Sequence, residues 1–391
     1  MTHQSAHSST LLAATDPQPA ALRDVNLSIT DRRVLGLVFR HHSLIQNQII
    51  EETGLVQQSV SRLVTGLVER GCLVTGERVS SGRRGYPSQA FRMAPDFGYS
   101  LGLSIMSDAV SLSLTDFSGQ VRSDWNQPFS AMRIDRVVDW LNARIHEIRS
   151  TPGVDPTRLL GLGVGIAGSF ADDGTRGFNT PSALEEWAFI DVAELLSEAT
   201  GLPTWADNDG NLAALGENMT GVGRRYRSFA YIYFSTGVGG GLVIDREVWR
   251  GRLGNAGEFA GGLPGNIYPF PNLELLRQLI NRDGGQFQTV AELLDAFDVE
   301  HPAVHDWIAR VRDSVSIIAS NATAILDVDA IVFGGRMPKS LAEKLIPHVE
   351  LFDQRRYSRP RPMAELVPAE ATGDATAIGA AVLPLSQQCF A

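Results

Sequence analysis

Three short stretches of this chain carry residues suited to binding anions or bases. Residues 235–241 read STGVGGG, four glycines and two hydroxyl residues directly after the apolar run FAYIYF. A turn of that composition lets backbone amides approach an anion closely, and Thr236, Gly237 and Gly239 are its candidate phosphate contacts. The second stretch, QQSVSR, offers Gln57, Gln58, Ser59, Ser61 and Arg62, whose side chains can hydrogen-bond base edges and phosphates. The third, SSGRRG, sets Arg83 and Arg84 between glycines, either as solvated charge or as a minor-groove contact.

The elements that must position these residues narrow the choice. Leu27 to Arg40 has an apolar face of Val34, Leu35, Leu37 and Val38, and Ile45, Ile49 and Ile50 follow at helical spacing. Gly54 breaks that run, and Val60, Leu63, Val64, Leu67 and Val68 repeat every three or four residues up to a stop at Gly71. The pattern predicts helix, tight turn, helix, with QQSVSR opening the second helix. A helix-turn-helix offers that end of its recognition helix to the major groove. LVTGERVSSGRRGYPSQAFRM then reads as two short strands around the Arg83–Arg84 tip, a wing that favours DNA contact for the pair.

With 391 residues, 43% hydrophobic and 20% charged, the chain is long enough for two or three domains. Its net charge of −10 excludes indiscriminate nucleic-acid binding by the whole molecule. Between Leu27 and Pro95, however, nine arginines and no lysine face five acidic residues, so a small basic module joins an acidic body. No apolar run approaches the ~20 residues of a membrane helix, and the N-terminus lacks a basic start, so no membrane partner and a cytoplasmic location are expected. Cys72 and Cys389 are too few for a disulfide framework or a four-thiolate zinc site and read as packing or tail residues.

Residues 1–26, rich in Ser, Ala, Thr and Pro, read as a flexible arm, and 27–95 as the winged helix-turn-helix. From Gly98 the pattern becomes a strand meander, a helix from about Ile134 to Ser150, and the buried strand LLGLGVGIAG. A second round begins with SFAYIYFSTGVGGGLVID, broken at its glycine turn, and continues through a helix near Val304 to Leu326 and the strand AIVFGG. The expected fold class is α/β, two mixed halves over 96–391 matching only in outline, with a ligand cleft at the carboxyl ends of strands.

GVGIAGSF, WADNDGNLAALGE, STGVGGGLVID, GRLGNAGE and IVFGG occur in the order and approximate spacing of the ROK (repressor, ORF, kinase) family. With the winged helix, the chain from about residue 27 onward resembles that family's transcriptional regulators. The resemblance implies an actin-like, sugar-kinase-type domain of two lobes with sugar in the cleft, assembled as a homodimer or tetramer. On the same basis Asn208 and Asp209 match the pair whose aspartate is the general base of the family's kinases. Glu258 matches a second acceptor of sugar hydroxyls and Glu274, loosely, a third. Gly168, Asn179 and Ser182 would complete the cleft edge, with Trp187 either a contact or core. Without the resemblance, Asp207 to Asp209 read as a turn capping a helix that begins near Asn211.

Two departures shape the expected activity. The family's kinases open with a strand and Asp-x-Gly-Gly-Thr, whereas LGLSIMSDAV places Ser104 at the Asp, Met106 and Ser107 at the glycines and Asp108 at the Thr. Bulk and charge repulsion there would remove half of a phosphate clamp, leaving STGVGGG as a tight strand connection, with no catalysis and no cofactor expected. In the family a zinc site braces a sugar-binding histidine; that position is Gly261 here, the stretch AGEFAGGLPGNIYPFPNLELL around it has no cysteine, and no metal is expected. The expected function is a sugar-responsive regulator, a repressor that binds double-stranded operator DNA and releases it with carbohydrate. Its rival is an active sugar kinase carrying a DNA-binding module.

Overall fold

The computed structural model describes residues 26–79, 88–171, 176–353, 359, 361–371 and 373–390, and the backbone of 12–13. Inside the stretch expected to be a free arm, β1 (Leu12–Ala13) pairs antiparallel with Trp205 and Ala206 at a sheet edge. The winged helix starts with a capping box: Ser28 Oγ accepts from Asp31 N at 3.1 Å, and the Asp31 carboxylate accepts from Ser28 N at 2.9 Å. This sets the first turn of α1 (Ile29–His41). β2 (Leu44–Ile45) and α2 (Gln46–Thr53) follow, and Gly54, at φ 70°, turns the chain into α3 (Gln57–Glu69).

β3 (Leu73–Val79) and β4 (Ser88–Met93) pair antiparallel, with β2 on the far edge of β4. The wing tip with Arg83 and Arg84 lies outside the described residues. Arg70 closes the module internally, donating to the two Asp31 carboxylate oxygens at 2.8 and 3.3 Å. Burial works to raise the Asp31 carboxyl, but the hydrogen bonds from Arg70 and Ser28 outweigh it and hold the carboxyl below its usual range. One of the nine arginines is therefore engaged in structure.

The first lobe opens with the antiparallel meander β5 (Tyr99–Ile105), β6 (Ala109–Asp116) and β7 (Val121–Pro128). Helix α4 (Ile134–Arg149), β8 (Leu159–Ile166), the short pair β9 (Ser169–Phe170) and β10 (Phe178–Asn179), helix α5 (Val192–Thr200) and β11 (Thr204–Asn208) complete it, and α6 (Asp209–Thr220) leads out. The second lobe repeats the plan with β12 (Phe229–Phe234), β13 (Val238–Ile244) and β14 (Glu247–Val248). It continues through α7 (Leu273–Arg282), α8 (Val290–Asp295), α9 (Pro302–Leu326), β15 (Ala330–Gly335), α10 (Lys339–Leu345), β16 (Glu365–Pro368) and α11 (Ala375–Cys389).

The sheets run β7-β6-β5-β8-β11, with β1 beyond, and β14-β13-β12-β15-β16. In each, the first three strands are antiparallel and the last two join parallel to the first, so order and direction coincide. What the sequence shows only in outline is a duplicated topology, and the turns after β5 and after β12 are equivalent.

Helix α11 packs directly on β5 and β8. A Cβ at Gly163 would collide with the Ala380 carbonyl, and one at Gly379 with the Leu212 carbonyl, so backbone meets backbone at both places. At the far end of α11 the Phe390 ring lies 4.8 Å from Phe39 of α1 and 6.3 Å from Phe117, which packs 4.6 Å from Phe97. Cys72 and Cys389 are buried in this same core, where burial pushes their thiols up to about 11 and about 12. Winged helix and two-lobed domain thus share one apolar core. Among the described residues no helix is long and apolar enough to cross a membrane. Gly163→Ala should lower stability by about 3 kcal/mol in urea unfolding, by pushing α11 off its sheet; an unchanged midpoint would contradict this packing.

Candidate functional site

Helix α3 buries Val60, Val64 and Leu67 and turns Gln57, Gln58, Ser59, Ser61 and Arg62 to solvent together. No side chain caps its N-terminus, where Val56 is 70% exposed. Arg78 of β3 and Arg92 of β4 are also exposed, further basic side chains of the same module that motif reading passed over. Their signal was the arginine surplus, which does not say which arginines face out. The face is polar, cationic and unobstructed within the described residues, as contact with a polyanion requires.

The second candidate region lies where β11 runs into α6. Asn208 caps α6: its Oδ1 accepts from Gly210 N at 2.8 Å and Asn211 N at 3.1 Å. The helix therefore starts at Asp209, two residues earlier than the capping reading placed it. Asn208 Nδ2 donates to Gly168 O at 2.8 Å, and the Asn179 carbonyl fills the space where a Cβ of Gly168 would stand. Asn208, Gly168 and Asn179 are thus brought together, Asn208 as a shaping residue with both ends of its amide engaged. Asp207 is tied by Arg250 Nε at 2.7 Å and Asn211 Nδ2 at 3.0 Å.

Asp209 is left facing the cleft. It is 8% exposed, and its carboxylate accepts from Gly210 N at 2.8 Å. Burial, reinforced by the charges of Glu258 and Asp374, pushes its pKa up to about 7. Glu258 keeps accessible surface, yet the protein packed around it also raises its carboxyl. Thr376 Oγ1 donates to the Asp209 backbone carbonyl at 3.2 Å and lies 3.2 Å from Tyr233 Oη, so the first turn of α11 holds the Asp209 main chain. Asp374, Thr376, Tyr233 and Arg250 were missed from the sequence. Asp374 carried only the signal of a helix cap.

Other expected contacts are placed differently. Glu274 is held on its own helix by Arg277 Nε at 2.8 Å and Nη2 at 2.6 Å and by Gln278 Nε2 at 3.0 Å, so it is not an open acceptor. Trp187 is fully buried and donates from Nε1 to Met132 O at 2.6 Å, which makes it core. Ser182 is exposed at the start of the short turn Ser182–Trp187. In the glycine turn, Gly240 and Gly241 abut the Tyr231 carbonyl and Gly210, as a tight connection needs, but Cβ atoms at Gly237 and Gly239 would stand in open space. Thr236 Oγ1 lies 3.4 Å from Ser107 Oγ of the other lobe. Asp108, expected to repel anions as a bare carboxylate, is instead paired with Arg336.

Asn255 spans the lobes as well, its Oδ1 accepting from Phe170 N at 2.6 Å and its Nδ2 donating to Phe170 O at 3.0 Å. A cavity of about 880 Å³ lies beside this region rather than around Asp209, behind Tyr233, lined by Trp125, Tyr231, Arg336, Lys339 and Asp374. Neither Asp209 nor Glu258 is among the residues that line it.

The sequence matches the ROK family model over residues 101–264 and the MarR family model over 25–85. The chain carries a ROK family domain behind a MarR-type winged helix. It is 26% identical to protein y4fQ of Sinorhizobium fredii over 371 residues, 93% of this chain and 92% of that one. Against the xylose repressor of Bacillus subtilis it is 26% identical over 231 residues, 59% of each chain. The crystal structure of a ROK family transcriptional regulator, a homologue of the E. coli MLC protein, superposes with a TM-score of 0.63 at 19% identity, covering 92% of this chain and 97% of that one. A ROK glucokinase from Streptomyces griseus superposes at 0.59 with 20% identity, covering 73% and 99%. At these identities the solved structures speak for the ROK fold.

The raised carboxyl of Asp209 has a definite pH signature. Between its ordinary value near 3.8 and about 7 the folded ROK domain binds the extra proton, so ionisation costs stability as pH rises through that window. Asp209→Asn removes this term. Its stability relative to wild type should climb by about 2–4 kcal/mol from pH 4 to 8, read as urea midpoints of both proteins; parallel pH profiles would refute the assignment.

Proposed function

We propose that this protein is a sugar-responsive transcription repressor whose ROK domain senses a carbohydrate and does not phosphorylate it. The observation that carries the reading is helix α11. Its first turn braces Asp209 through Thr376, and its end delivers Phe390 to Phe39 of the winged helix. Fifteen helical residues make a rod of ~22 Å between cleft and DNA-binding module. A carbohydrate whose hydroxyls engage Asp209 and Glu258 would shift the start of that rod, and the shared aromatic core would pass the shift to α1. Coupling of about 1–3 kcal/mol, 5- to 150-fold in operator affinity, is sufficient for derepression. The xylose repressors among the relatives support a sugar as the effector.

In a two-fold dimer, two copies of α3 would enter successive major grooves of a near-palindromic operator. Arg62→Ala should weaken operator binding about tenfold in an anisotropy titration and lower the salt slope by about one, as loss of one phosphate contact does. Unaltered affinity would reject the DNA-binding assignment. Asp209→Ala should bind operator as wild type does yet ignore the sugar; a variant that still responds places the effector elsewhere.

The kinase reading rests on Asp209, whose pKa near 7 suits a general base, and on the open space at Gly237 and Gly239. It predicts ATP consumption with some carbohydrate. The repressor reading predicts none across a panel of sugars, because the turn after β5 has no glycine-lined approach for phosphates.

A further inference from the structure

The equivalent turns of the two lobes, after β5 and after β12, meet across the cleft. Beside the Ser107–Thr236 contact, Asp108 projects from the first lobe into a set of donors supplied wholly by the second. Asp108 Oδ1 accepts from Arg336 Nη1 at 2.7 Å and Oδ2 from the backbone N–H of Ala291 at 2.9 Å. The two side chains are only 9% and 10% exposed, and Met106, Ala109 and Ala291 form an apolar cluster around the turn. The backbone of Asp108 is anchored too, its carbonyl accepting from Phe129 N at 3.0 Å.

A guanidinium and a backbone N–H converging on one point form an anion-binding set, as suited to a phosphate oxygen as to a carboxylate. Here the chain's own carboxylate fills it. The geometry points to Asp108 as a tethered internal anion that does two things: it excludes phosphoanions from this end of the cleft, and it latches the lobes together in the absence of any ligand. The adjoining cavity reinforces the exclusion. Arg336 is already matched by Asp108, and the remaining charged residues of the lining are Asp124, Asp295, Glu370 and Asp374 against Lys339. An incoming phosphate would meet a negative wall and an occupied cation. The latch also explains why a carboxylate is tolerated in a buried turn, since an unpaired charge there would not be.

This is independent of the operator reading, because it is tested without DNA. Full-length wild type, Asp108→Ala, Asp108→Asn and the double variant Asp108→Ala/Arg336→Met are titrated with inorganic phosphate at constant ionic strength, following melting temperature and isothermal heats. Wild type should show no saturable phosphate binding. Asp108→Ala, which leaves Arg336 without its anion, should bind phosphate at least tenfold more tightly than wild type and recover melting temperature as phosphate is added. Asp108→Asn, which preserves shape, should show the same gain should the alanine variant fold poorly. The double variant should fold and bind no phosphate. An Asp108→Asn protein that is folded and responds to phosphate as wild type does overturns the proposal. So does a double variant that binds as tightly as Asp108→Ala, since the site is then elsewhere.

Discussion

The contact of α11 with the first sheet, backbone against backbone at Gly163 and against α6 at Gly379, is the constraint on which the rest of this molecule depends. Interiors at that separation have no slack to absorb a methyl group, so α6, α11 and β8 move as one block. That block carries the Asn208 cap, Asp209 and Thr376 at one end and Phe390 at the other. Cleft geometry and the seating of the winged helix are therefore set by the same packing.

Burial of charge is handled in three ways in the two lobes. Asp207 and Asp108 are each matched to an arginine from the opposite lobe, Arg250 and Arg336, and serve to join the lobes. Asp209 has no such partner among the described residues, and its carboxyl rises accordingly. A paired carboxylate stays ionised and structural, while an unpaired one in the same cleft is poised to exchange a proton or accept a hydroxyl. Glu217 is a third case. It is fully buried, and its carboxylate accepts from the amides of Val222, Glu370 and Ala371 at 3.1, 2.9 and 2.7 Å, which ties the segment before α11 to α6.

The winged helix shows why a charge surplus is a coarse guide. Of its nine arginines, Arg70 is engaged by Asp31, and Arg40 lies half-buried at the junction with the two-lobed domain, where burial and Arg246 lower its pKa. Arg62, Arg78 and Arg92 remain on the surface. Composition counts charges, whereas contact with DNA depends on which of them a packed module leaves outside.

Local rules made much of this protein legible before any coordinates. Apolar spacing and Gly54 marked α1 to α3, the glycine-broken run marked β12 and β13, and five ordered motifs pointed to the ROK domain, because helix periodicity, turn chemistry and motif spacing act over a few residues. Asp209 was singled out only through the resemblance, since local rules alone read Asp207 to Asp209 as a turn and helix cap. The partners of each carboxylate were not legible: Arg336 is 228 residues from Asp108, Arg250 is 43 from Asp207, and Phe390 is 351 from Phe39. Nothing in the local sequence of Asp108 distinguishes a repelling charge from a latch, or in that of Glu274 an open acceptor from a neutralised one. Those outcomes were decided only when two copies of one topology closed on each other, since pairing and burial depend on distances that exist in the folded chain alone.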